Sequence, residues 1–170
     1  LVVGDVSADA LAGGQKKLEK KVSKGVETGA FSPEQQAKMT SSVAWTTNYD
    51  EIKGADLVVE AATENKELKG KIFGMVEDLV AADAILCSNS SHLEPEVIFA
   101  NAKHKGRTGV VHYFFPAERN LLVEVVPGAD TDDATTQWLL SFYEGIGKVP
   151  IPVKSRYGYA LDPVFEGLFY

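Results

Sequence analysis

Apolar positions along the chain change period several times, and each change predicts an element. Leu1 to Asp5 is apolar until it ends on an acid, which predicts a short buried strand. Ser7 then caps a helix running from Ala8 to about Gly29, where Leu11, Leu18, Val22 and Val26 recur at helical spacing among Ala, Lys, Gln and Glu. Ser32-Pro33-Glu34-Gln35 puts proline at the first position of a second helix that stops near Ser41-Ser42. Val43 to Thr46 reads as a strand, and Asn48-Tyr49-Asp50 with Gly54 returns the chain.

Asp56 to Ala62 is almost continuously apolar, as a parallel strand covered on both faces requires. A helix from Asn65 to Val80, a strand from Ala84 to Cys87 and a short helix near Glu94 to Ala102 follow. Strands Gly109 to Phe115 and Leu121 to Val126, helix Asp132 to Ile146 and strand Val149 to Val153 complete the series. Such alternation predicts an α/β fold with a doubly wound, mainly parallel sheet and a ligand at the carboxyl ends of its strands. Residues 1–154 form that domain; 155–170, helical again after Gly158, read as the beginning of a second one.

With 170 residues, 45% hydrophobic and 24% charged, the chain can bury a real core. Its net charge of -7 excludes a general nucleic-acid binder, which needs a basic surface, and disfavours an acidic membrane surface. The single Cys87 cannot form an internal disulfide, and no Cys/His cluster has metal-ligand spacing. A reducing compartment, the cytoplasm, is the expected home, with no metal and no membrane span.

A dinucleotide fold opens with a strand, a glycine-rich turn and a helix, and carries an acid about 20 residues beyond the glycines for the ribose. Asp5 sits where that acid belongs, but the glycines are absent, because Gly13-Gly14 falls inside a helix. Either the natural chain begins earlier, or the nucleotide reading fails. A first strand ending on aspartate favours the earlier start.

Three strand ends gather polar residues: Glu60 to Asn65, Ser88 to His92 and Val111 to Pro116. Buried polar groups need partners, so convergence of the three predicts a ligand pocket. Asn65, Asn89 and Ser91 have an equally simple alternative as helix caps.

The series VVEAATEN, SNSSHL and HYFFPAERNLLVEVVPG resembles the 3-hydroxyacyl-CoA dehydrogenase family over nearly the whole chain. The resemblance implies a Rossmann-type NAD-binding domain that lacks its first strand and glycine loop. It implies an oxidoreductase of fatty-acid β-oxidation, interconverting 3-hydroxyacyl-CoA and 3-oxoacyl-CoA and dimerising through a C-terminal helical domain. Within it His112 falls on the catalytic histidine, Glu124 on its partner glutamate and Ser91 on the serine that bonds the substrate oxygen. Glu64 and Lys69 fall on cofactor-contact positions, Asn89 on the neighbouring asparagine, and Asp5 is read as the ribose acid favouring NAD over NADP. A histidine titrating near neutrality suits removal of a hydroxyl proton as hydride leaves for nicotinamide. Lys69 has the alternative of a solvated helix residue, and His92 and His104 read as surface residues.

The match departs at Phe115, where the family has asparagine, and Asn120 is the nearest other donor. Lys16, Lys20 and Lys24 share a helix face that could meet the phosphates of coenzyme A or merely water. Gly158 to Pro163 is similar to the family's GF.VNR, with Asp162 and Pro163 replacing its asparagine and arginine. Two rival readings stay open: a dehydrogenase of a small non-CoA hydroxy acid, and a non-catalytic nucleotide-binding module.

Overall fold

In the first of two compact units, residues 1–54, a crossover joins two parallel strands, β1 (Val2–Gly4) and β2 (Ala44–Thr46). The computed structural model describes residues 1–169; Tyr170, the last residue of the expected second-domain opening, lies outside them. The crossover consists of α1 (Ala8–Glu27) and α2 (Pro33–Ser41). Ser7 caps α1 by accepting the Ala10 N–H at 3.2 Å. Ser32 and Gln35 form a reciprocal capping box at the start of α2, with bonds of 3.1 and 2.8 Å. Leu11 and Val22 are the buried residues of α1, and its five lysines are exposed. Gly14 packs closely on Trp45: a Cβ there would stand 3.0 Å from the ring, which would have to give by a few tenths of an ångström. β1 was expected to be buried, but Val2 and Gly4 are exposed; its sheet has only β2 beside it.

Residues 55–170 make the second unit, around a five-stranded sheet of order β3-β4-β5-β6-β7. The strands are β3 (Leu57–Glu60), β4 (Ile85–Ser88), β5 (Thr108–Tyr113), β6 (Leu122–Pro127) and β7 (Val149–Pro152). All neighbours are parallel except β5 and β6. The loop 114–121 between that pair is too short for a parallel crossover, so the chain returns antiparallel. β3 departs from its expected burial: Val59 is 37% exposed, because β3 is an edge strand of this sheet.

Side chains alternate across each strand, and the register sorts them into two faces. Ile85, Cys87, Val111, Val123 and Val125 share one face, which packs against Leu139 and Tyr143 of α5 (Asp133–Gly145). The other face carries Leu86, Val110 and Val126, all fully buried. It also carries Glu60, Ser88, His112 and Glu124. α3 (Lys66–Glu77) and α4 (Pro95–Ile98) contribute Phe73, whose ring lies 4.5 Å from that of Phe99 just beyond α4. α6 (Leu161–Phe169) follows the sheet. Asn65, one of the residues with two readings, caps α3 by accepting the Leu68 N–H at 2.9 Å.

A buried ion pair ties β3, β4 and α3 together. Lys69 Nζ donates to Glu60 Oε2 at 2.6 Å and to Ser88 Oγ at 3.0 Å; Ser88 Oγ donates to the same carboxylate oxygen at 2.8 Å, and the Ala62 N–H fills Glu60 Oε1 at 2.7 Å. Among the described residues, no helix is long and apolar enough to cross a membrane, and no group of His, Cys, Asp or Glu is placed to hold a metal ion.

Two outcomes are expected from this packing. Lys69→Met strands the Glu60 charge in the interior and should lower the unfolding free energy by roughly 3–5 kcal/mol in urea titrations. The double change Lys69→Met/Glu60→Leu should recover most of it; a single variant of wild-type stability would refute the burial argument. Cys87 is wholly buried, and burial pushes its thiol far up. Iodoacetamide at pH 8 should leave it unmodified in the folded protein and label it in denaturant, as read by mass spectrometry.

Candidate active site

His112 is the second-last residue of β5, and antiparallel register sets it directly opposite Glu124 of β6. Both point to the face away from α5, so the side chains meet: His112 Nδ1 donates to Glu124 Oε2 at 2.9 Å. The pair is almost fully buried, at 6% and 1% side-chain exposure. Glu124 Oε1 accepts the backbone N–H groups of Ala160 (3.1 Å) and Leu161 (3.0 Å), where α6 begins. A helix start favours a negative charge, so ion pair and helix act in the same sense. With Nδ1–H held by Glu124, Nε2 keeps the lone pair, and the imidazole is ready to take a proton there. Phe114 and Tyr159 pack on the ring, with centroids at 4.7 and 5.6 Å.

The loop after β4 carries the next group. Glu64 accepts from Ser90 Oγ at 2.7 Å and from the Ser91 N–H at 3.1 Å, joining the loops beyond β3 and β4. Asn89 is half-buried: its N–H donates to Glu60 O at 2.7 Å and its Oδ1 accepts the Tyr113 N–H at 3.1 Å, beside His112. Glu64, Asn89 and Ser91 are thus brought together, and no direct hydrogen bond joins Ser91 to His112.

Other expected residues fall differently. Lys69 is not a solvated helix residue; at 1% exposure its ammonium is engaged by Glu60 and Ser88, so it braces the strand ends from within. Asn120 does not replace the family amide, because its Nδ2 donates to the carbonyls of Phe114 (3.2 Å) and Phe115 (2.9 Å). Phe115 itself is 95% exposed in the loop that follows β5. His104 is exposed as expected, but His92 is half-buried and stacks on Tyr157 at 5.3 Å. Asp5, in the first unit, ends β1 with Oδ1 accepting the Ser7 N–H at 2.8 Å, and it stays partly exposed at a strand end. A partly exposed carboxylate there fits the hydroxyls of a ribose.

Three contributors escaped the sequence reading. Glu60 and Ser88 stood inside the motifs, among the polar residues at the strand ends, and nothing local gave a sign that a lysine would join them. Tyr159 was visible only as the residue after Gly158.

Residues 1–156 match the family model described as 3-hydroxyacyl-CoA dehydrogenase, NAD binding domain. The alpha subunit of the fatty acid oxidation complex of Idiomarina loihiensis is 34% identical over 163 residues, 96% of this chain and 23% of that protein. The chain thus spans about a quarter of the length of the curated relatives it matches. The crystal structure of (S)-3-hydroxybutyryl-CoA dehydrogenase from Ralstonia eutropha superposes with a TM-score of 0.93 at 28% identity, covering 96% of this chain and 58% of that one. That of 3-hydroxybutyryl-CoA dehydrogenase from Escherichia coli gives 0.89 at 28% identity, with 91% and 33% covered. With the motif series and the His112–Glu124 pair in place, the chain belongs to the 3-hydroxyacyl-CoA dehydrogenase family, as its Rossmann-type NAD-binding domain.

Proposed function

We propose that the complete protein interconverts 3-hydroxyacyl-CoA and 3-oxoacyl-CoA with NAD, in fatty-acid oxidation or related acyl-CoA metabolism. The buried His112–Glu124 pair carries this reading, because it is a histidine prepared for proton exchange at Nε2. NAD, when bound, supplies the hydride acceptor. His112 takes the hydroxyl proton of the 3-hydroxyacyl substrate, and Glu124 stabilises the imidazolium that results. In the reductive direction the same proton returns to the substrate oxygen. Ser91 holds that oxygen, Asp5 the ribose hydroxyls, and Asn89 faces the cofactor. Glu64 and Lys69 serve the same site by fixing the loops beyond β3 and β4. Residues 155–170 open a helical domain through which the protein dimerises, and the protein works in the cytoplasm without nucleic acid or membrane as partner.

One observation favours a second reading. Phe115 offers 95% of its surface where the family has an amide, and Asn120 is spent on the loop carbonyls. Loss of that amide changes what the site can bond on its substrate, as a switch to a small non-CoA hydroxy acid would require.

Oxidation of NADH at 340 nm with acetoacetyl-CoA and with free acetoacetate separates the two. We expect turnover with the CoA ester and a much lower kcat/KM for the free acid; the reverse preference would overturn the acyl-CoA reading. His112→Ala should lower kcat by roughly 10²–10⁴-fold with NADH affinity retained. Glu124→Gln should cost at least about 10²-fold, because an amide neither fixes the tautomer nor stabilises the imidazolium. Full activity in His112→Ala would remove it as the base.

A further inference from the structure

Tyr159 has a backbone that needs explaining. Its φ is 55°, in the left-handed region that bulky side chains rarely enter, directly after Gly158 at 71°. Such a conformation persists only where the surroundings over-determine it. Here they do so from three sides. The side chain is wholly buried, and its hydroxyl donates to Leu93 O at 2.7 Å, in the loop that carries Ser91. The ring packs on the His112 imidazole, and the next two N–H groups, of Ala160 and Leu161, both reach Glu124 Oε1. The Gly158 N–H adds a bond to His92 O at 3.3 Å. Burial pushes the phenol up, so the hydroxyl stays a donor.

We propose that Tyr159 is a positioning residue that sets His112 and Glu124 against the Ser91 loop. Its hydroxyl is the link between groups that share no direct bond. Ser90 Oγ accepts the N–H of His92 and Leu93, Leu93 O accepts from Tyr159, and the Tyr159 ring and backbone then bear on both members of the pair. The left-handed turn at Tyr159 aims two successive N–H groups at one carboxylate oxygen. The role rests on the dehydrogenase reading for its catalytic meaning, and on the contacts alone for its geometry.

The test uses the complete protein with two variants. Tyr159→Phe removes only the hydroxyl anchor and should lower kcat with acetoacetyl-CoA about tenfold. Tyr159→Leu keeps bulk but removes the ring and should lower it on the order of 100-fold, since small misplacements of reacting groups cost that much. The Kd for NADH should stay at its wild-type value in both. Ser91→Ala combined with Tyr159→Phe should cost less than the product of the single losses, as coupled groups do. Histidine-labelled NMR supplies a readout independent of turnover: the His112 ring resonances should move in Tyr159→Phe. A variant pair that loses thermal stability but keeps wild-type kcat and His112 resonances overturns the proposal. So does a raised Kd for NADH with kcat intact. A wild-type protein without turnover, in which Tyr159→Phe still displaces the His112 resonances, sinks the dehydrogenase reading and leaves the positioning role standing.

Discussion

A carboxylate with 1% of its side chain exposed is the constraint around which the second unit is organised. Removing a charge from water costs several kcal/mol unless hydrogen bonds and an opposite charge replace the solvent. Glu124 finds replacements from two parts of the chain: the His112 imidazole across the β5–β6 ladder, and two N–H groups where α6 begins. The first makes the pair chemically useful. The second means that the segment after β7 must return to the sheet for the charge to be tolerated, so Gly158 and Tyr159 take left-handed turns and Tyr159 closes over the imidazole.

The same rule operates once more on the same face of the sheet. Lys69 and Glu60 are buried together, with Ser88 and the Ala62 N–H completing the carboxylate's shell. Each buried charge is thereby a fixed point from which backbone is hung. Glu60 holds the turn after β3, and its own carbonyl receives the Asn89 N–H after β4. Glu64 then binds the Ser90–Ser91 turn, and Asn89 reaches Tyr113 beside His112. A continuous chain of hydrogen bonds so connects three strand ends, while the opposite face stays apolar against α5.

Much of this was legible in the residues. Strand and helix positions follow from period changes, the Ser7 cap stands where its side chain predicts, and Pro33 opens α2 as expected. The His112–Glu124 meeting follows from a short connection between two strands, because a hairpin register places residues twelve apart face to face. What stayed hidden depended on three-dimensional neighbours. The antiparallel direction of β6 was written only in the length of the 114–121 connection, because an apolar run reads the same in either direction. Lys69 looks like any helical lysine until α3 packs and its stem is covered. His92 reads as a surface residue because nothing local announces that Tyr157, sixty-five positions on, will stack against it.

Family position and physical role therefore separate at several residues. The resemblance implied cofactor contact for Lys69, yet its ammonium is directed at Glu60 and Ser88, so it acts on the loops it fixes. Phe115 shows the converse case. Its loop is held by Asn120 on two carbonyls and by Lys148, which donates to Asn120 O at 2.8 Å, so the aromatic ring is presented on a braced support. An exposed phenylalanine contributes apolar area and no directional bond. Beside such a surface the His112–Glu124 hydrogen bond is still made. What the exchange of an amide for phenylalanine removes is a directional bond, and loss of one hydrogen-bonding group weighs on discrimination between substrates that differ in polar groups.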